Sequence, residues 1–102
     1  MIHVLAIVTT KPGTRARFLD AYRANLPAVL AEEGCLAYEA AIDVAASSPG
    51  FAQFGPDVFV VVERWASLEA LHAHAVAPHM KAYGAKTKDL IASRVIHVLS
   101  PA

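Results

Sequence analysis

One stretch of the chain, Asp57–His79, contains most of the side chains that could carry out chemistry. It reads DVFVVVERWASLEALHAHAVAPH and includes the carboxylate of Glu63, the indole of Trp65 and histidines at positions 72, 74 and 79. Imidazole changes its charge near neutral pH and is also the commonest metal ligand in proteins. The first question is therefore whether this stretch builds an acid–base site or a metal site.

The spacing of the histidines argues against a metal site. His72 and His74 are two residues apart, so on a helix they point in different directions and cannot hold one ion. His74 and His79 are separated by a segment that ends in Ala-Pro, and the sequence has neither an HExxH motif nor a pair of cysteines. These patterns predict no metal ligand and no metal cofactor. His72 is expected to be a polar residue on the solvent-facing side of its helix.

His74 and His79 remain candidates for proton transfer. If they face the predicted sheet across a cavity, a neutral imidazole there could accept a proton from a phenol or quinol hydroxyl. The alternative is that each histidine lies on the solvated side of its helix. His3 and His97 lie on the predicted first and last strands, and we interpret them as a structural cross-strand pair.

Glu63 and Trp65 share one face of the third predicted strand with Val61. A carboxylate on so apolar a strand needs a partner, such as Arg64, Arg94 or a histidine, and its pKa is expected to shift. Glu63 either forms a salt bridge at the end of the sheet or takes part in catalysis. Trp65 is either a large core side chain with a satisfied N–H or part of a site.

The composition is that of a small, charge-balanced protein with an excess of apolar residues. The chain has 102 residues, of which 56% are hydrophobic, with nine basic and nine acidic side chains. The balanced charge disfavours nucleic acid as a partner, and no run reaches the roughly 18 apolar residues of a membrane-spanning helix. A single cysteine, Cys35, and a first segment without signal-peptide features predict a cytoplasmic protein. The apolar excess predicts a subunit interface, an apolar ligand cavity, or both.

The hydrophobic periodicity predicts four strands and two helical regions, in the order β-α-β-β-α-β, within a single domain of residues 1–102. Pro27 is expected to kink or divide the first helix, and Ser67 to cap the second helical region. Phe51 and Phe54, in the loop predicted at 45–56, pack on a neighbour, close over a cavity or fill the edge of the core. The predicted strands are Ile2–Thr10, Cys35–Val44, Val58–Trp65 and Ser93–Ser100, and the predicted helices are Thr14–Glu33, one from Leu68 and one from Pro78 to about Ile91.

This element order predicts an α+β, ferredoxin-like βαββαβ fold, in which the helices cover one face of a four-stranded antiparallel sheet. The first and third strands are largely apolar on both faces, which is typical of strands that are covered on both sides. Because the helices can cover only one face, we expect a second subunit to cover the other. The result would be a homodimer through the sheet faces.

Four segments, KPG, EEGCLAYE, VERWASLEALHAH and APHMKAY, resemble the antibiotic biosynthesis monooxygenase (ABM) domain family, and within it the YgiN-type quinol monooxygenases. The resemblance covers essentially the whole chain. It implies a dimeric α+β barrel with a pocket between sheet and helices in each subunit. It also implies a monooxygenase that oxidises a quinol or phenolic aromatic with molecular oxygen and needs no flavin, haem or metal. The alternative is a non-catalytic dimeric module that binds a small apolar metabolite.

The resemblance also implies roles for individual residues. Trp65 would line the pocket and could donate a hydrogen bond to an oxygen function of the substrate. His74 and His79 would be the acid–base or orienting groups, which gives three catalytic candidates with Trp65. Glu63 would anchor the strand end. The residues that would bind substrate are Tyr38, Val61, Glu63 and Tyr83.

Two departures from the family pattern limit the activities that the resemblance implies. Val61 stands where polyketide-modifying relatives carry an asparagine, so their oxygenation site is not copied directly. Haem-degrading relatives use an asparagine on the first strand and a tryptophan on the second helix. This chain has neither, which disfavours haem cleavage.

Overall fold

The computed structural model describes residues 1–45 and 49–102. Its element order confirms the predicted βαββαβ pattern, with the second helical region divided into two helices at Pro78. Of the predicted 45–56 loop, residues 46–48 lie outside the described part. The elements are β1 (Ile2–Thr10), α1 (Arg15–Leu30), β2 (Cys35–Ala41), β3 (Val58–Trp65), α2 (Leu68–Ala75), α3 (Pro78–Thr87) and β4 (Ile91–Leu99).

The four strands form one antiparallel sheet in the order β2-β3-β1-β4, which is the predicted ferredoxin-like arrangement. In β1, Val4, Ala6 and Val8 are buried, and the alternating residues Leu5 and Ile7 on the opposite face are only half-buried. The first set faces the helices, and the second set belongs to what we call the outer face. No helix in the described residues is long and apolar enough to cross a bilayer.

The ends of several elements differ from the prediction because tertiary contacts set them. β2 ends at Ala41 and not at Val44, because the Asp43 carboxylate accepts hydrogen bonds from the backbone N–H groups of Phe54 (3.0 Å) and Gly55 (2.8 Å). These bonds turn the chain back and end the strand. The two predicted strand histidines are also not directly opposed: His3 faces Leu99 and His97 faces Leu5. They lie two positions apart in register on the outer face.

The helix boundaries also differ in part from the prediction. Pro27 was expected to kink or divide the first helix. It lies inside α1 and does not divide it, and the next turn closes because the Ala31 N–H donates to the Pro27 carbonyl at 3.1 Å. α1 ends at Leu30, short of the predicted Glu33. α3 ends at Thr87 because the chain enters β4 at Ile91. The predicted cap of α2 is confirmed, since the Ser67 hydroxyl accepts a hydrogen bond from the Ala70 N–H at 3.1 Å.

Aromatic side chains join α1 to the inner face of the sheet. Phe18 meets Phe59 edge to face with ring centroids 5.2 Å apart. Tyr22 stacks on Tyr38 at 5.8 Å, and its hydroxyl donates to the Tyr38 carbonyl at 3.1 Å. Edge-to-face and offset-stacked pairs are the favoured aromatic geometries. This cluster therefore fixes both α1 and the position of Tyr38 on β2.

The connection from α1 to β2 passes very close to the start of α2. Gly34 has a φ of +84°, and a Cβ added to it would lie 2.6 Å from the Cβ of Ala70. The Ala66 N–H donates to the Gly34 carbonyl at 2.8 Å, which ties the two segments together. Only glycine combines this backbone conformation with so close an approach. The contact brings the residues just after α1 next to α2.

Replacing Gly34 by alanine is expected to destabilise the fold more than the same change at Gly13. Both glycines have positive φ, +84° and +76°, but Gly13 has no heavy atom within 4 Å of an added Cβ. Gly13→Ala should lower the free energy of unfolding by about 1 kcal/mol, and Gly34→Ala by about 2–4 kcal/mol because it adds a steric overlap with Ala70. Urea unfolding of both variants measures the difference. Equal losses would contradict the role assigned to the Ala70 contact.

Candidate active site

A cavity of about 530 Å³ lies between the inner face of the sheet and helices α2 and α3. It occupies the place that the sequence led us to expect for a pocket. Its walls are mainly apolar, which is typical of sites for small organic ligands. Among the apolar lining residues are Val4, Ala6, Val8, Val61, Leu71 and Met80.

The polar groups of the cavity come from both of its sides. Tyr38 and Glu63 project from the sheet, His74 from α2, and Tyr83 and Thr87 from α3. Such a small set of polar groups on apolar walls can orient a ligand with a few hydroxyl or carbonyl oxygens. The remaining charged lining residues, all at exposed positions, are Lys81, Lys88 and Arg94.

His74 is a buried imidazole held by a carboxylate behind it. Its Nδ1 lies 2.7 Å from Oε2 of Glu32, and the two side chains are only 7% and 15% exposed. An ionised carboxylate can only accept a hydrogen bond, so we assign the proton to Nδ1 of His74. In the neutral ring, Nε2 then carries the lone pair. The ring also packs against Trp65, with centroids 4.6 Å apart, and against Tyr38 at 5.4 Å.

The free nitrogen of His74 is available to a ligand. The imidazole lines the cavity, and Nε2 has no hydrogen-bond partner among residues 1–45 and 49–102. A carboxylate that fixes the tautomer and orientation of an imidazole is a common support for a general base. The pair Glu32–His74 therefore has the geometry needed to remove a proton from a hydroxyl group in the cavity.

Glu63 and Trp65 form a second buried polar pair. Trp65 is fully buried, and its Nε1–H donates to Oε1 of Glu63 at 2.9 Å. Burial raises the pKa of Glu63, while the hydrogen bond from Trp65 and the nearby His74 oppose the rise only in part. The raised pKa extends the pH range in which Glu63 is a neutral acid. In that form it can donate a hydrogen bond into the cavity.

Trp65 was expected to line the pocket. In the structure the indole is fully buried and is not among the residues that line the cavity. Because its N–H is used by Glu63, it supports the wall from behind and has no donor left for a ligand. Glu63 was expected to pair with Arg64, Arg94 or a histidine. In the structure its hydrogen-bond partner is the Trp65 indole, and the nearby His74 and Arg94 also lower its pKa.

The phenol groups of Tyr38 and Tyr83 can act as hydrogen-bond donors but not as proton acceptors at neutral pH. Burial raises the pKa of Tyr38, and the nearby Glu63 carboxylate raises it further. Burial also raises the pKa of Tyr83. Both phenols therefore stay protonated at neutral pH and can donate hydrogen bonds to an oxygen of a bound molecule.

His79 lies behind His74 and does not line the cavity. Its Nε2 is 3.5 Å from Oε2 of Glu32 and is buried without a hydrogen-bond partner in the described residues. His72, as predicted, is exposed. The sequence-based reasoning missed Glu32, because the neighbouring Glu33 offers the same chemistry and nothing local distinguishes the two. Only the fold shows that Glu32 turns inward while Glu33 is exposed.

The family model described as antibiotic biosynthesis monooxygenase matches residues 1–86 of the chain. The chain belongs to this family. It is 39% identical over 103 residues to the Escherichia coli K12 protein named "Probable quinol monooxygenase YgiN", a match that covers 99% of this chain and 98% of that protein.

Solved structures show the same ABM fold. The Pseudomonas aeruginosa protein PA3566 superposes with a TM-score of 0.80 at 24% identity, covering 99% of this chain and 93% of that one. A conserved protein from Methanosarcina mazei Go1 reaches a TM-score of 0.83 at 20% identity, covering 99% and 92%. At these identities the likeness concerns the fold alone.

The cavity of this ABM protein brings together most of the residues that the resemblance implied. Trp65 and His79 do not line the cavity. Trp65 lies behind the wall formed by the sheet, and His79 lies behind His74. The roles of all these residues stay predictions, whereas their positions are given by the fold. The predicted residues that do line the cavity are Tyr38, Val61, Glu63, His74 and Tyr83.

The buried carboxyl of Glu63 is expected to make stability depend on pH. Because its pKa is raised, the folded chain keeps a proton that the unfolded chain releases. This contribution to stability is complete below the ordinary glutamate pKa and is lost as the pH rises through the raised value. Glu63→Gln keeps an acceptor for Trp65 but does not titrate. Its free energy of unfolding relative to the wild type should therefore increase as the pH rises above the ordinary glutamate pKa.

Urea unfolding at a series of pH values measures this difference. Glu33→Gln is the matched control, because Glu33 is an exposed carboxylate outside the sheet. The unfolding free energy of this variant should follow the wild-type pH curve. A Glu63→Gln curve parallel to the wild type would show that the buried carboxyl does not have a raised pKa.

Proposed function

We propose that this protein is a cofactor-independent monooxygenase that oxidises a quinol or related phenolic aromatic with molecular oxygen. The observation that carries the proposal is the imidazole of His74, fixed by Glu32 and lining an otherwise apolar cavity. Membership of the ABM family and the 39% identity to a protein named as a quinol monooxygenase support the same activity.

The proposed reaction begins with proton transfer from a quinol hydroxyl to Nε2 of His74. The resulting quinolate is electron-rich and reduces molecular oxygen, and a new C–O bond forms at a ring carbon. The O–O bond then breaks, one oxygen stays on the ring, and the other leaves as water after taking up protons, one of them from His74. A quinol and one O₂ thus give a hydroxyquinone and one water, and the quinol supplies all the electrons.

The cavity walls favour this sequence in two ways. The apolar side chains exclude water, which strengthens each polar contact with the substrate and removes competing proton donors. Tyr38, Tyr83 and the protonated form of Glu63 can donate hydrogen bonds to the second oxygen of the quinol ring. The substrate is thereby oriented with its first hydroxyl toward His74.

Removal of the proposed base should slow turnover much more than removal of a nearby exposed histidine. His74→Ala is expected to lower kcat for oxygen consumption by about 10²–10⁴-fold, the usual contribution of a general base. His72→Ala, on the same helix but exposed, should keep the wild-type rate. The assay mixes anaerobically reduced quinols with oxygen and subtracts the rate without protein.

Circular dichroism and quinol binding test whether His74→Ala is folded. A folded His74→Ala variant that turns over at the wild-type rate would contradict the role of His74. Saturable quinol binding by the wild type without any oxygen consumption would instead favour a binding module without catalysis.

We further propose that two chains pair through the outer face of the sheet. This face presents Leu5 and Ile7 from β1 with Val60 and Val62 from β3, and Val62 is 42% exposed although it lies on a central strand. Phe54 projects beside them and lines a shallow cavity of about 280 Å³ with Leu5 and Val60. An exposed apolar face of this kind is typical of an interface, and the same face of a second chain is a self-complementary cover.

A charge placed on the outer face should therefore separate the dimer. Val62→Asp is expected to give a monomer, whereas the wild type should have about twice the 10.9 kDa mass of the chain. Val76→Asp is the matched control, because Val76 is also exposed, at 65%, but ends α2 on the other side of the sheet. Size-exclusion chromatography with light scattering measures the masses. A monomeric wild type, or a dimeric Val62→Asp variant, would contradict this interface.

We also propose that the protein works in the cytoplasm. Its single cysteine, Cys35, is a half-buried free thiol. Free thiols persist in reducing compartments, which agrees with this location.

A further inference from the structure

We propose that Glu32, His74 and His79 form a binding site for one divalent first-row transition-metal ion, with Zn²⁺ as the representative. One potential ligand atom from each of these side chains lies within 4.8 Å of the other two. Oε2 of Glu32 is 2.7 Å from Nδ1 of His74 and 3.5 Å from Nε2 of His79. The three residues come from the segment after α1, from α2 and from the first turn of α3. The histidine spacing alone predicted no such site because the third ligand lies 42 residues from His74 in the sequence.

The two distances from Glu32 to the histidine nitrogens are near those of a tetrahedral metal site. With bonds of about 2.0–2.1 Å, neighbouring ligand atoms are about 3.3 Å apart. Oε2 of Glu32 is already 3.5 Å from Nε2 of His79. Its separation from Nδ1 of His74 is 2.7 Å and has to widen by about half an ångström. Side-chain rotations of Glu32 and His79, which are 15% and 26% exposed, can provide this change.

The state of His79 points to a missing partner. Its Nε2 is buried and has no hydrogen bond within the described ranges, although the carboxylate of Glu32 is its nearest charged neighbour. A buried polar atom without a partner is costly, and native structures contain few of them. A cation between the three side chains would give Nε2 of His79, Nδ1 of His74 and the carboxylate a shared partner.

The ligand set defines the class of metal. Two imidazole nitrogens and one carboxylate oxygen suit Zn²⁺, Co²⁺ and Ni²⁺ and are poor ligands for Mg²⁺ and Ca²⁺, which prefer oxygen. Three protein ligands leave a fourth tetrahedral position for water. Because the ligands belong to three different segments, the bound ion would also tie the end of α1 to α2 and α3.

Metal binding and the proposed acid–base role of His74 exclude one another. A metal ion at Nδ1 takes the lone pair there, so the ring proton has to sit on Nε2, the nitrogen that would accept the quinol proton. Bound Zn²⁺ should therefore inhibit turnover. This consequence rests on the proposed function, whereas metal binding itself does not.

Binding is tested on the full-length chain without an affinity tag. Co²⁺ is added while its visible absorption is followed, and Zn²⁺ is added in a calorimeter. The wild type should bind one ion per chain, and Mg²⁺ should give no signal. Glu32→Gln and His79→Ala should bind at least about tenfold more weakly. His72→Ala and His97→Ala, which remove exposed histidines elsewhere, should bind as the wild type does.

Thermal unfolding provides a second measurement that does not depend on activity. Zn²⁺ should raise the unfolding temperature of the wild type and of His72→Ala, because it binds only the folded chain. At the same Zn²⁺ concentration it should raise the unfolding temperatures of Glu32→Gln and His79→Ala less. Absence of binding by the wild type would overturn the proposal. Equal binding by the wild type, Glu32→Gln and His79→Ala would also overturn it.

Inhibition is measured separately, with each rate divided by the metal-free rate of the same variant. Zn²⁺ should suppress oxygen consumption by the wild type, a chelator should restore it, and His79→Ala should be less sensitive. Stoichiometric binding at the three ligands without loss of turnover would leave the metal site intact and would contradict the base role of His74. The two proposals can thus fail independently.

Discussion

The hydrogen bond between Glu32 and His74 is the interaction on which the rest of the site depends. Both side chains are largely buried, so each would lose its hydration without gaining a partner if the other were absent. The bond fixes α2 beside the end of α1, and the close approach of Gly34 to Ala70 makes that arrangement sterically possible. It also fixes which nitrogen of His74 carries the proton.

On the sheet side of the cavity, another polar group is also held by a buried partner. Glu63 is buried on a strand and receives the indole N–H of Trp65, which leaves its other oxygen for the cavity. His74 and Glu63 are thus each held by a partner behind them, Glu32 for His74 and Trp65 for Glu63. Groups positioned in this way need little reorganisation when a ligand binds, which is the usual origin of electrostatic catalysis.

Much of the fold could be predicted from the sequence because local signals coincide with the element borders. Ser67 caps α2 and Pro78 begins α3, as their chemistry indicates. Borders set by distant contacts could not be predicted, and the bonds from Asp43 that end β2 early are an example. The residues of the site likewise divide into those marked by a local sequence pattern and those selected only by contacts with distant residues. Strand alternation placed Glu63 on the inner face, whereas no local pattern selects Glu32, whose partner is 42 residues away.

The exposure of strand β4 determines which part of the cavity wall can tolerate substitution. Nearly all of its residues are exposed, yet Arg94 and Ile96 form part of the cavity wall. Ile96 is 50% exposed, so replacing it removes little buried apolar surface and costs little stability. The neighbouring strands of the same sheet, with Val4 of β1 and Val61 of β3 buried, have no such freedom. Substitutions on β4 can therefore alter the shape of the cavity while the core and the Glu32–His74 pair stay unchanged.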